Sequence, residues 1–344
     1  MHTILPLPNV KSLVLSVLSI VTLCACHPSE RPMVADTTLR QQEPKVEVDL
    51  NTLCNHLSDE MQHVDQQRTF FALQQINQDL KLCLPLMTSK QQFELLELSH
   101  QMYQRFLTID RNPEQQAAFE QYVKGAHVHP TIRQQHFEHM TTRDQYLVKH
   151  QGQSYVELMT LANGDVRYRR SPQYLARIFA PYLPEAEQNF IYGLAHQNSE
   201  SLLDHQSIKI EALTVAERAL FWEAYLNTYP NSRYKTDAQY LYQAYSQLLF
   251  MGTQQTNPTS SDHSALHIHA ETLAAIEYVS QQSSPKLAAQ ATKFLDVIQR
   301  DISPSHMYFK QEQKTNLSAI RNELGLVQVN FQRSKNCFLD AVCI

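Results

Sequence analysis

Six glycines in 344 residues set the first limit on this chain. Average usage would supply roughly four times as many. Glycine gives the left-handed backbone that tight hairpins need and lets backbone approach a bound phosphate closely. Gly125, Gly152, Gly164, Gly193, Gly252 and Gly325 lie far apart in the chain. No two stand at the spacing of a dinucleotide-binding Gly-x-Gly-x-x-Gly or a P-loop, and a Gly-x-Ser-x-Gly elbow is excluded in the same way. Few glycines also disfavour a large, tightly turned sheet, while abundant Gln, Leu, Ala, Glu and Lys favour helices. The expected class is mainly α: a multi-helix bundle or short α-superhelix with one small β-hairpin.

The period of the apolar residues carries this further. Leu50, Leu53, Leu57, Met61 and Val64 form one helical stripe; Leu73, Ile76, Leu80 and Cys83 form the next, which Pro85 ends. Ser89 with Gln92 has capping-box spacing before a third helix carrying Phe93, Leu96, Met102 and Phe106. Asn112-Pro113-Glu114 starts a fourth, with Gly125 as its stop, and Pro130 opens a fifth through Ile132, Phe137 and Met140. The pattern changes once. Residues 155–160 and 165–168 alternate about Asn163-Gly164, which predicts a hairpin; a lone hairpin is marginal in water and must lie on the helices. Helices resume at Ser171-Pro172 and Leu183-Pro184-Glu185. Residues 198–211 show no period. Thr214 with Glu217 predicts a capping box for the helix carrying Leu220, Trp222, Tyr225 and Leu226. Residues 253–263 read as a surface loop, and further helices are expected over 264–282, 285–302 and 306–324. A short strand or extended tail follows at 326–331.

The amino terminus has a different character. Lys11 precedes an apolar run from Leu13 to Leu23, about a dozen residues and too short to cross a bilayer, so it reads as a signal-peptide core. The run ends in Leu23-Cys24-Ala25-Cys26, which resembles the lipobox of bacterial lipoproteins. That resemblance implies cleavage after Ala25 and lipidation of Cys26. It also implies a site in the bacterial cell envelope, facing the periplasm. His27 is not the Asp linked to inner-membrane retention, so the inner leaflet of the outer membrane is expected. Residues 26–47 are polar, proline-spaced and without period, and are expected as a flexible tether. The remaining regions divide as 48–150 (helical), 151–332 (hairpin plus helices) and 333–344 (tail).

With the leader removed and Cys26 lipidated, four cysteines remain, and four allow three pairings. Antiparallel helices through Cys54 and Cys83, joined near residues 66–69, would bring these two to similar heights. Cys54–Cys83 is therefore the expected bridge, with Cys337–Cys343 closing a short loop. Disulfides fit an exported chain.

Residues 221–245, FWEAYLNTYPNSRYKTDAQYLYQAY, resemble the tetratricopeptide-like helical hairpins of periplasmic lipoproteins through Tyr-Pro-Asn-Ser-x-Tyr followed by Asp-Ala-x-Tyr. Tyr229 before Pro230 is pushed out of helical geometry. Asn231 or Ser232 can cap the next helix. Ala238 lets the pair approach, and Trp222, Tyr225, Tyr234 and Tyr242 can fill the seam. The resemblance implies a helical scaffold that holds protein partners.

For chemistry, two histidine groups have ligand-like spacing: His127, His129, His136 and His139, and His263, His267 and His269. Neither contains His-Glu-x-x-His, and no metal site is expected. Glu157 and Asp165 flank the hairpin, and Glu200-Ser201 lacks the residues that follow such a pair in lytic transglycosylases; no catalytic residue is expected. The net charge of −5 argues against nucleic acid, and no nucleotide or other cofactor is expected. Arg167, Tyr168, Arg169, Arg170 and Tyr174 form the expected contact surface, since Arg and Tyr are enriched at binding hot spots. These readings together predict an envelope adaptor or scaffold acting by protein–protein contact and anchored to the membrane by lipid. An inhibitor or immunity-type lipoprotein neutralising a periplasmic toxin or hydrolase is the second expectation, and a cell-wall hydrolase the third.

Overall fold

A computed structural model describes residues 50–344 apart from 126, 128, 162, 205–206, 254–258, 261–266, 303–316 and 332–333. Cys26, the lipobox and the tether at 26–47 lie outside the described residues, as does His263. The chain runs α1 (Leu50–Gln62), α2 (Phe70–Cys83), α3 (Ser89–Phe106), α4 (Pro113–Lys124), α5 (Pro130–His139) and α6 (Thr142–Lys149). The hairpin β1 (Val156–Thr160) and β2 (Val166–Arg170) follows, then α7 (Gln173–Ile178) and α8 (Glu185–Gln197). A two-residue ribbon, β3 (Leu203–Asp204) and β4 (Ser207–Ile208), precedes α9 (Ala212–Thr228) and α10 (Lys235–Met251). A second, β5 (Thr259–Ser260) and β6 (His267–Ile268), precedes α11 (Ala270–Ser280), α12 (Leu287–Ile302) and α13 (Leu317–Glu323). The fold is mainly α with small antiparallel hairpins, as the glycine count and helical period require.

Several boundaries follow from local chemistry. Pro113 and Pro130 each occupy the first turn of a helix, where a missing N–H costs nothing. Asn112 and Gln115 form a reciprocal capping box. The box of α3 uses Thr88 and Gln91, one residue earlier than the Ser89–Gln92 pair, because Thr88 is the last extended residue. Gln92 turns inward instead, its amide donating to the carbonyls of Leu84 (2.9 Å) and Met87 (3.2 Å). The box expected from Thr214 and Glu217 does not form: α9 already begins at Ala212, so Thr214 stands inside its first turn. Gly325 does stop α13. At φ +64 it takes a left-handed turn, and the Leu326 N–H reaches back to the Arg321 carbonyl at 3.0 Å. No strand forms at 326–331.

Apolar packing gathers into two cores within residues 48–344. The first core joins α1–α7 and the hairpin through residues such as Leu57, Leu80, Met102, Phe106 and Tyr174. The second joins α9–α13 through Trp222, Tyr245, Phe250 and Phe294. Helix α8 is a shared wall: Ile191 and Ala195 enter the first core, Phe190 and Leu194 the second. The carboxyl-terminal segment is shared in the same way. Ala341 and Val342 belong to the first core, whereas Cys337 and Cys343 belong to the second. Residues 337–343 thus contribute to both cores. Among the described residues no helix is long and apolar enough to cross a membrane.

Tyr229, at φ −122 and ψ 61, ends α9 before Pro230 as expected. Helix α10 begins only at Lys235, because Glu187 on α8 holds the intervening turn. It accepts from Ser232 Oγ (3.1 Å) and from the Arg233 N–H (2.9 Å). Ala238 is fully buried between the helices. The aromatic seam also takes a ring from α8: Phe190 stacks on Tyr234 with centroids 4.4 Å apart and meets Trp222 at 5.1 Å.

Glu223, on the same helix as Trp222, is buried at the amino-terminal end of α12. It accepts from the N–H groups of Lys286 (2.8 Å) and Leu287 (3.2 Å), and from the Ser284 hydroxyl. A carboxylate there satisfies unpaired helix donors and complements the helix dipole. Replacing Glu223 by Ala leaves these donors buried without an acceptor. The expected loss is about 2–3 kcal/mol. Urea unfolding checks it: the midpoint should fall with an unchanged slope, and an unaltered midpoint would show that the cap is dispensable.

Candidate functional site, the hairpin and the carboxyl-terminal clasp

Strand β2 alternates as its period requires. Val166, Tyr168 and Arg170 point inward and are buried, while Arg167 is exposed and Arg169 half-buried. The register pairs Val156 with Arg170, Glu157 with Arg169 and Leu158 with Tyr168. Gly164 sits at φ +85, and its N–H donates to the Leu161 carbonyl at 2.9 Å, a turn in which only glycine is unstrained.

The inward residues are latches. Tyr168 Oη donates to Asp144, 3.2 Å from Oδ1. Asp144 is fully buried and takes a two-pronged contact from Arg111 at 2.6 and 2.9 Å, with Thr141 Oγ1 at 2.7 Å. Burial and the Asp144 charge push the Tyr168 phenol far above its ordinary range, so it stays a donor. Arg170 reaches the other way. Its Nε and Nη2 donate to Asp340 Oδ2 at 3.0 and 2.6 Å, and Nη1 donates to Ser99 Oγ at 2.8 Å. Both side chains of this pair are 3% exposed. The guanidinium also lies over the rings of Tyr174 (5.0 Å) and Tyr103 (5.7 Å). Arg169 completes the grip, pairing with Glu157 at 2.6 Å and donating to the backbone carbonyls of Leu339 (3.2 Å) and Asn198 (3.0 Å).

The segment that receives these contacts is itself closed. Cys337 and Cys343 are bridged, and Asn336 and Ile344 exchange backbone hydrogen bonds at 2.6 and 3.0 Å. Asn198, at the end of α8, donates to the carbonyls of Cys337 (2.9 Å) and Asp340 (2.6 Å). The cyclised loop therefore sits as a plug between β2 and α8.

The surface expected from Arg167, Tyr168, Arg169, Arg170 and Tyr174 is accordingly not one surface. Tyr168, Arg170 and Tyr174 are buried, and Arg169 is committed to intramolecular partners; Arg167 alone of the five is exposed. Desolvated guanidinium groups need partners, and the fold supplies carboxylates from distant segments. Asp144 and Asp340 carry no local signal in the sequence: an isolated Asp gives no indication that it will be buried opposite an arginine.

Other candidates resolve as follows. Both expected bridges are present, Cys54–Cys83 and Cys337–Cys343. A carboxylate oxygen of Asp237 lies within 4.8 Å of the Cys337 and Cys343 sulfurs, but these sulfurs are bonded to each other and offer no thiolate. His129 Nδ1 accepts the Thr131 N–H at 3.3 Å, His139 Nδ1 meets the Gln135 carbonyl at 2.7 Å, and His269 precedes α11. Among the described residues no histidine group gathers its ring nitrogens into a ligand set. Asp165 accepts from the Asn163 amide at 2.6 Å and donates its N–H to Asn163 Oδ1 at 3.1 Å within the turn, and Glu200 pairs with Arg218 at 2.6 Å. Ser99 meets Arg170, the partner of Asp340, and neither Ser99 nor His100 is part of a relay to that carboxylate. The Ser99 hydroxyl donates to the Leu96 carbonyl at 2.6 Å, and His100 Nε2 meets Gln104 at 2.8 Å.

His100 records the field of this cluster. Burial lowers its pKa from 6.5, and Arg170 adds to the effect against the opposing carboxylates of Asp340 and Glu97. The unfolded chain therefore takes up this proton at a higher pH than the folded one, so stability rises with pH. The contribution of His100 falls as pH drops below about 6.5 and stops falling once the folded pKa is passed. A His100→Gln variant should flatten that part of the pH–stability curve relative to the parent. Parallel curves would exclude the effect.

No known protein family, curated protein or solved structure matches the chain.

Proposed function

We propose that this chain is an envelope lipoprotein, acylated at Cys26, that works as an adaptor or scaffold through protein–protein contact. One observation supports contact rather than turnover. Four of the buried carboxylates, Asp144, Glu187, Glu223 and Asp340, each hold an arginine, a turn or a helix end. Groups so engaged rigidify a scaffold. Two disulfides, made from all four cysteines that follow residue 26, support folding in an oxidising compartment. The aromatic seam of α8–α10 supports a rigid platform of the kind the tetratricopeptide-like segment implies.

Crosslinking in intact cells, followed by purification of the membrane fraction, tests the reading. A stoichiometric envelope complex is expected, lost when Cys26→Ser abolishes acylation and mislocalises the chain. Release of soluble fragments from purified sacculi would instead establish a hydrolase. Burial of Tyr168 and Arg170 withdraws that pair from the contact surface expected for the adaptor and inhibitor readings alike.

A further inference from the structure

The chain enters the described fold at Leu50, one helical turn before Cys54. The Cys54–Cys83 bridge pins that end of α1 to the carboxyl-terminal end of α2. Three leucines are exposed around this junction: Leu50 at 40%, Leu82 at 51% and Leu86 at 63%. Leu82 and Leu86 flank the bridged Cys83, and Pro85 between them is exposed as well. Phe71, 72% exposed, continues the line along α2. Eleven residues separate it from Leu82, about three turns, so both lie on one side of the helix. The other exposed residues of that side, Gln74, Gln75, Gln78 and Lys81, include no carboxylate, and Asp79 is buried. Lys81 stands exposed next to Leu82, and Lys90, four residues beyond Leu86, is exposed and faces Glu94 at 3.8 Å.

We propose that this leucine-bearing end of α1–α2 rests on the bilayer that holds the acyl chains of Cys26. The inference rests on the lipoprotein reading above and goes beyond it by assigning the face that meets lipid. Two features of the chain select lipid as the occupant. Only about two dozen residues separate Cys26 from Leu50, a span of at most ~80 Å when fully extended, and the leucines surround the point where that segment joins the fold. The charge pattern of α2 agrees: its exposed residues are apolar, glutamine and Lys81 with no exposed acid, which matches the boundary between acyl chains and anionic headgroups. A single acyl attachment leaves orientation open, and a second apolar contact at the attachment end would fix which way the α8–α10 platform faces.

The test uses the full acylated protein, reconstituted in vesicles of phosphatidylethanolamine and phosphatidylglycerol. A benzophenone amino acid is placed at Leu86, or at Tyr278 on α11 as an exposed control. Illumination should give a lipid adduct at position 86 and none at 278. Leu50→Glu with Leu82→Glu, in the same background, should abolish the adduct while circular dichroism shows the fold intact. Adducts to a second copy, or to residues 27–49 of the same chain, would overturn the proposal. So would equal lipid labelling at both positions, or no lipid adduct at 86. Metabolic labelling with palmitate separates the two readings. Label at Cys26 without a lipid adduct at 86 rejects the lipid-facing end alone, whereas loss of the label rejects the anchor itself.

Discussion

Replacing Asp340 by alanine is expected to cost about 3–5 kcal/mol of unfolding free energy, the largest single-residue effect in the clasp. The reason is the group left behind. Arg170 stays within the core against Tyr103, Tyr174 and Ser99, with its Nε and Nη2 donors facing a vacated acceptor. Asn198 still holds the backbone carbonyls of the loop, so the plug stays near its seat and water has little access. The pair itself need not be worth that much, because taking two charges out of water is costly. A double replacement, Arg170→Met with Asp340→Leu, should therefore be much milder than either single change. Urea unfolding of the four proteins in one cycle measures the coupling. If Asp340→Ala matched the double variant, the pair would be peripheral to stability.

The second large effect belongs to the Cys54–Cys83 bridge. Its sequence separation is 29, and in the chain-entropy account closing such a loop removes about 3–4 kcal/mol of freedom from the unfolded state. A Cys54→Ser, Cys83→Ser double variant should lose stability of that order, seen as a lower thermal midpoint. Its amino-terminal turn of α1 should also exchange amide hydrogen faster. The Cys337–Cys343 loop, with a separation of 6, yields a smaller entropic term of about 2–3 kcal/mol. Equal losses from the two double variants would mean that the short bridge acts through the clasp rather than through loop entropy. Non-reducing peptide mapping separately checks both pairings.

Much of the architecture was readable because its causes are local. Pro113, Pro130 and Pro230 act on neighbouring dihedrals, Gly325 supplies a left-handed stop, and the stripe from Leu50 to Met61 needs only a 3.6-residue period. The hairpin was readable from alternation and from Asn163-Gly164. The misplaced starts of α3 and α9 have one cause: capping-box spacing recurs by chance inside a helix, and only the backbone shows which residue is last to be extended. The arginine cluster shows a different limit. Alternation along β2 says that every second residue turns inward, but which face is inward depends on what packs behind it. Segment 198–211 had no period because its elements are two residues long.

The sequence by itself determined the helical class, through scarce glycine and persistent periodicity, and it favoured one cysteine pairing of three, through the heights of neighbouring helices. Both depend on residues close together along the chain. Only the tertiary structure decided that Arg170 is sealed inside against Asp340, that α8 serves two cores, and that the Cys337–Cys343 loop plugs the seam. Those outcomes join positions as far as 170 residues apart. A buried charge chooses its partner by proximity in space, which no local pattern encodes.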